Sequence, residues 1–169
     1  MKIRGLRGSL FEEMINKTIA EYRIKKLALI QKIPTPIVPM KMDNEGHITL
    51  AYFDKKSTVD YIGNVQEIPV CFDAKECKTD KFPLRNIHKH QVDFMKEWEE
   101  QGGIAFILIY FSNREIGYYM RCDEVIRRYN SKKDFKIDEL DDNYFINLKN
   151  KIKVDFLTLI QKDIDSREE

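Results

Sequence analysis

Three side chains in this sequence could do chemistry together: Asp60, Asp73 and Lys75. The segment Asp73-Ala74-Lys75 lies in a run with strand character, and residues two apart on a strand project to one face. Asp60 precedes a Tyr-Ile-Gly-Asn string that reads as a turn. Two carboxylates converging with a lysine suit phosphodiester hydrolysis. The carboxylates hold a hard divalent ion, Mg²⁺ or Mn²⁺. The ion polarises a phosphoryl oxygen and acidifies a water. The lysine orients the attacking water or stabilises the charge growing on the phosphate. Neither a cysteine nor a histidine nucleophile is required. In a chain that is 34% charged such a triplet also arises by chance, as a solvated pair on an edge strand. The apolar neighbours Val70, Cys71, Phe72 and Ala74 argue otherwise. They place Asp73 at the end of a core strand, where a charged pair needs a reason.

The surrounding pattern predicts the elements that would position these groups. Ser9 followed by Glu12 is a helix-start signal. Leu10, Phe11, Met14, Ile15, Ile19 and Tyr22 then recur at helical spacing over 9–25. The run 27–33 reads as a strand ended by Pro34-Thr35-Pro36. Segment 34–53, with Asn44-Glu45-Gly46 at its middle, reads as a protruding two-stranded ribbon. Strands are predicted at 67–75, 104–111 and 116–121, the second buried on both faces. Helices are predicted at 88–101, stopped by Gly102-Gly103, and at 123–128. The polar remainder carries one more helix near 153–162. The sum is a single α/β domain over 1–169, a mixed central β-sheet flanked by helices.

Composition narrows the function classes. A chain of 169 residues fits one sizeable core. No apolar run approaches the roughly 18 residues of a membrane span, and no secretory signal is expected. Three cysteines without framework spacing fit a reducing cytoplasm. Net charge is only +1, but residues 1–42 carry nine basic and three acidic side chains, +6 there against −5 for the rest. That asymmetry suits a polyanion-facing side or a solvated helix face.

Three longer stretches carry a resemblance. The first is Arg7-Gly8 through Glu12 with Lys32-Ile33-Pro34-Thr35-Pro36. The second is Ala51-Tyr52-Phe53 with Ser57-Thr58-Val59-Asp60-Tyr61 and Phe72-Asp73-Ala74-Lys75-Glu76. The third is Phe82-Pro83-Leu84-Arg85-Asn86-Ile87-His88-Lys89-His90-Gln91, then Gly102-Gly103-Ile104-Ala105-Phe106. In order and spacing they resemble the RecU family, Holliday-junction resolvases of Gram-positive bacteria with a restriction-endonuclease-like fold. The resemblance spans about residues 4–125, and the third stretch is its most specific part.

The resemblance implies a Mg²⁺-dependent endonuclease, bacterial or phage-encoded and cytoplasmic, that nicks four-way DNA junctions to leave 5′-phosphates. It implies Asp60, Asp73, Thr58 and Gln91 at the metal site and Lys75 as the transition-state lysine, with Glu12 supporting from the first helix. It makes 34–53 a stalk entering the junction, with Tyr52 and Phe53 stacking at its base. Arg4, Arg7, Lys32, Lys55 and Lys56 join them as DNA contacts. Two opposed nicks imply a two-fold homodimer, and a RecA-type recombinase is an implied partner. Asp73 departs from the family's usual Glu. The family's long basic N-terminal extension is not expected here. Segment 126–169 shows little likeness and reads as a dimer contact or an acidic tail. A non-catalytic DNA-binding accessory protein of the same fold, or a nuclease for other branched DNA, are the alternatives.

Other groups draw weaker readings. Cys71, Cys77, His88 and His90 lack the spacing of a structural zinc site. Phe94, Met95 and Trp98 form a helical core stripe. Arg127, Arg128, Lys132 and Lys133 suit DNA backbone or a solvated loop equally.

Overall fold

The computed structural model describes residues 9–54 and 58–168. Helix α1 (Leu10–Ile24) starts where predicted. Ser9 caps it, its Oγ accepting the Glu12 N–H at 3.2 Å. Its apolar stripe, Phe11, Met14, Ile15 and Tyr22, is buried. Strand β1 (Leu29–Lys32) follows, then a separate ribbon of β2 (Ile37–Met42) and β3 (Ile48–Phe53). The chain continues through β4 (Tyr61–Val65), β5 (Ile68–Cys77), the short β6 (Lys81–Phe82) and helix α2 (Lys89–Glu100). It then runs through β7 (Ile104–Phe111), β8 (Ile116–Arg121), helix α3 (Cys122–Ser131), β9 (Phe135–Lys136), β10 (Phe145–Asn147) and helix α4 (Leu157–Glu168).

Six strands form the main sheet in the order β1-β4-β5-β7-β8-β10. β5 and β7 run parallel, joined by the α2 crossover, and the other pairings are antiparallel. The sheet is therefore mixed and flanked by helices, as the sequence predicts. Every residue of β7 is buried, which fits its unbroken apolar run at the sheet centre. An aromatic row crosses four strands: Tyr61, Phe72, Phe106 and Tyr119 stack with centroids 4.7, 4.7 and 4.3 Å apart. Phe156 packs edge-on against Phe72 at 5.2 Å. Such rows lock register as well as burying area.

Several elements differ from the sequence reading. Residues 61–65 are strand, not turn. Gly63 serves close approach, because a Cβ there would lie 2.2 Å from the Leu29 carbonyl oxygen and 2.5 Å from Ile30 Cα. The reversal falls instead at Gln66 and Glu67, both with left-handed backbone (φ +46° and +76°). Asp73 stands in the interior of β5 rather than at its end. The last helix begins at Leu157, later than predicted, and the C-terminal part is not an acidic tail. Leu148, Val154, Phe156 and Ile160 enter the core, and β10 extends the main sheet. Arg128 is neither solvated nor free for DNA. It bonds Glu124 at 2.9 Å and the Glu139 carbonyl oxygen at 2.7 Å, over the Phe135 ring.

The β2–β3 ribbon falls within the predicted 34–53. Its register shifts beside Pro39, which has no N–H to pair. At the tip, Asp43 Oδ1 accepts the Glu45 and His47 N–H groups at 2.9 and 2.8 Å, and Gly46 takes φ +86°. All six side chains of β3 are exposed, including Ile48, Leu50, Tyr52 and Phe53.

Candidate active site

The site forms where β4 and β5 part. Their pairing ends at Tyr61 with Phe72. Beyond that point β5 keeps its parallel partner β7 on one edge, as far as Cys77 with Phe111. On the other edge the chain turns at Asp60, whose carbonyl oxygen accepts the Ile33 N–H at 2.7 Å. Asp60 Oδ2 then accepts the Ala74 N–H at 2.9 Å, replacing the ladder bond that β4 no longer supplies. This fixes the first carboxylate against the backbone between Asp73 and Lys75.

Asp73 is completely buried. The Lys75 ammonium lies 2.6 Å from its Oδ2, yet neither Asp73 oxygen receives a well-directed hydrogen bond among the described residues. Burial is the main force on this carboxyl and pushes it up to about 7; the Lys75 charge opposes the shift, and the neighbouring Asp60 carboxylate adds to it. A buried carboxylate without well-directed hydrogen bonds is costly, and one lysine charge offsets that cost only in part. Lys75 is mostly buried and is steadied by Gln91, whose Oε1 accepts from Nζ at 3.2 Å and from the His88 N–H at 3.3 Å. Gln91 occupies the third position of α2, and His88 is the helix N-cap, so the helix start positions the amide.

Four of the predicted site residues thus converge: Asp60, Asp73, Lys75 and Gln91. Two do not join them directly. Thr58 is exposed, two residues before Asp60. Glu12 makes an ion pair with Lys32 across α1 and β1, which also engages the predicted DNA contact Lys32. Glu12 still faces the neighbourhood, since its charge, with those of Asp60 and Asp73, helps burial to raise the Tyr61 hydroxyl. Tyr52 and Phe53 stand exposed at the base of the ribbon, in register with Val38 and Ile37. Arg4, Arg7, Lys55 and Lys56 lie outside the described residues.

Tyr61 and Phe156, which back Phe72 directly behind Asp73, were not singled out from the sequence. The alternation Val154-Asp155-Phe156 within a polar stretch was the available signal.

The donor set suits a hard divalent ion. Among the described residues Asp73 Oδ1 has no hydrogen-bond partner and Oδ2 has only the Lys75 ammonium, while Asp60 bonds the backbone through Oδ2. Among the described residues no three His, Cys, Asp or Glu side chains form a ready-made cage. Mg²⁺ does not need one, because it binds through one or two carboxylates and keeps several waters. The zinc candidates Cys71 and Cys77 are buried thiols; Cys77 donates to the Thr79 carbonyl oxygen at 3.1 Å.

The sequence is similar to curated proteins named Holliday junction resolvase RecU. The protein from Leuconostoc mesenteroides is 34% identical over 171 residues, covering 96% of this chain and 84% of that one. The protein from Streptococcus pneumoniae is 38% identical over 135 residues, covering 77% and 68%. Among solved structures, Archaeoglobus fulgidus Hjc, a Holliday junction resolvase from an archaeal hyperthermophile, overlaps 69% of this chain and 78% of its own. The TM-score is 0.42 at 11% identity, too loose a superposition to align residues. The family model described as recombination protein U matches residues 6–162. With that match over nearly the whole length, the chain belongs to the RecU family.

Proposed function

We propose that this chain is a divalent-metal-dependent endonuclease that resolves four-way DNA junctions by paired nicks, working as a homodimer. The observation that carries the chemistry is the buried Asp73 carboxyl. Among the described residues neither of its oxygens receives a well-directed hydrogen bond, and the Lys75 ammonium and the Asp60 carboxylate lie against it. The names of the relatives supply the substrate class.

Asp73 and Asp60 are the residues that would hold the ion. When bound, a divalent ion adds positive charge at the scissile phosphate and makes a water acidic enough to attack near neutral pH. Lys75 contributes a charge that can leave Asp73 Oδ2 for a phosphate oxygen as negative charge grows there. Gln91 Oε1 steadies the Lys75 ammonium, which reduces the positioning cost at the moment of reaction. Burial favours the protonated form of Asp73, so this carboxyl would give up a proton to hold a cation. Asp in place of the family's usual Glu sets the carboxylate one methylene nearer β5, without removing a donor.

The ribbon completes the reading. Its exposed apolar and aromatic side chains suit contact with junction bases or with a second copy's ribbon. A junction offers two scissile strands related by a two-fold axis, which a symmetric dimer matches.

The test is cleavage of a labelled synthetic four-way junction with and without Mg²⁺ or Mn²⁺. Wild type should make paired nicks only with the ion. Asp60→Asn, Asp73→Asn and Lys75→Ala should bind the junction without cutting it. Cutting by these variants, or by wild type in a chelator, would overturn the site assignment. Binding without cutting by wild type under every metal condition would instead favour an accessory DNA-binding role.

A further inference from the structure

We infer that Arg85 and Lys132 form a second DNA-contacting site, a cleft beside the active site that grips backbone phosphates of a junction arm. This rests on the nuclease reading above, which supplies DNA as the polyanion.

The starting point is the string Phe82–Gln91, of which the catalytic cluster uses only Gln91. The rest of the string builds a rigid turn. Phe82 is buried on β6 and stacks on Phe135 of β9 with centroids 5.0 Å apart. The Leu84 N–H donates to Asp134 Oδ1 at 3.0 Å, and Ile87 is buried. Between these anchors, Leu84–Asn86 is a single 3-10 turn with Arg85 exposed at its centre. Facing it, α3 ends at Ser131, and Lys132 follows with φ +55°. That left-handed position favours glycine, yet it carries an exposed lysine.

Arg85 and Lys132 line one cleft of about 470 Å³, together with Tyr129 and Asn130. Neither cation has an ion-pair partner among the described residues. By contrast, Arg114, Arg121, Arg128 and Arg167 are all paired with carboxylates. Asp134, the acid in this cleft, accepts the Leu84 N–H and pairs with Lys81 at 3.1 Å; Arg85 makes no ion pair with it, although its charge helps to hold this carboxyl down. An adjoining cleft that shares Asp134 carries Arg127, Arg128 and Lys133 together with Glu139; Arg127 and Arg128 pair with Glu124 there, so Lys133 is the further cation without an ion pair among the described residues. The Arg85–Lys132 cleft, lined by two cations and the Asn130 amide, fits phosphates rather than bases.

The location fits a backbone contact flanking the scissile phosphate. The Arg85 turn leads directly into α2, whose first turn holds Gln91 against Lys75. Lys89, in that same turn, lies within electrostatic range of Tyr129 in the cleft. The cleft and the catalytic lysine are therefore served by the same end of α2.

Equilibrium binding to a four-way junction and to a linear duplex, in chelator and across a salt series, tests this. Both residues are exposed, so Arg85→Gln with Lys132→Gln should fold, with an unchanged melting temperature as the check. The double variant should bind about tenfold or more weaker near 0.1 M salt. Its log–log salt slope should fall by about two, roughly 0.9 per phosphate contact. The loss should be the same for unrelated DNA sequences, because phosphates carry no sequence information. A control, Lys149→Gln with Lys151→Gln, removes equal charge elsewhere. Wild-type affinity and slope in the Arg85/Lys132 variant would overturn the inference, as would an equal loss in the control. Metal-dependent nicking by wild type is scored separately. If wild type never nicks, the nuclease reading falls while the binding result still decides the cleft.

Discussion

The centre of the sheet and the β2–β3 ribbon are built on opposite terms. β7 and the middle of β5, Val70–Asp73, are buried on both faces, and the acid there, Asp73, is buried with them. Among the described residues the ribbon is a two-stranded sheet, and its large side chains, among them Met40, Leu50 and Phe53, are exposed. A two-stranded hairpin is marginal by itself in water. The core therefore spends stability to hold a reactive group in a fixed place, while the ribbon keeps apolar surface for something outside the monomer. Rigidity at the site and surface on the projection suit an enzyme that must place one phosphate accurately on a large, branched substrate.

The comparison can be broken or sharpened by experiment. The largest effect belongs to the site: Lys75→Ala should abolish detectable nicking, a loss of at least about a thousandfold as for a transition-state donor, with junction binding retained in a gel-shift assay. Next is the core behind it. Phe72→Ala removes the ring between Tyr61 and Phe106 and should cost about 3–5 kcal/mol in urea unfolding. A cost near zero would mean that the aromatic row does not hold the site.

Asp73 gives a pH test. Its folded value is raised to about 7 from an ordinary 3.8. The proton it holds therefore stabilises the metal-free fold fully below about pH 4, and that contribution is lost as pH rises through 7. Asp73→Asn should be more stable than wild type at pH 8, with the gap closing towards pH 4. Mg²⁺ should raise the melting temperature of wild type at pH 8 and leave the variant unmoved. The smallest stability effect belongs to the ribbon. Tyr52→Ala with Phe53→Ala should shift unfolding by less than about 0.5 kcal/mol per site. The same pair should lower the preference for four-way over linear DNA measured by competition. Equal weakening on both substrates would remove the ribbon from junction recognition.

The sequence alone determined features whose cause is local. The Ser9 cap and helical spacing define α1, the unbroken apolar run defines β7, and alternation puts Asp73 and Lys75 on one face of one strand. The ribbon was legible because Pro39 and the Asn44-Glu45-Gly46 turn act within a few residues. Only the tertiary structure decided what depends on distant partners. Gly63 reads as a turn until Ile30 and Leu29 are seen against it. Gln91 becomes a neighbour of Lys75 only through the α2 crossover. Phe156 looks like part of a polar tail until it packs on Phe72. Periodicity and capping are written within a turn or two of chain, whereas close approach, burial and the meeting of charges are set by which strands lie side by side.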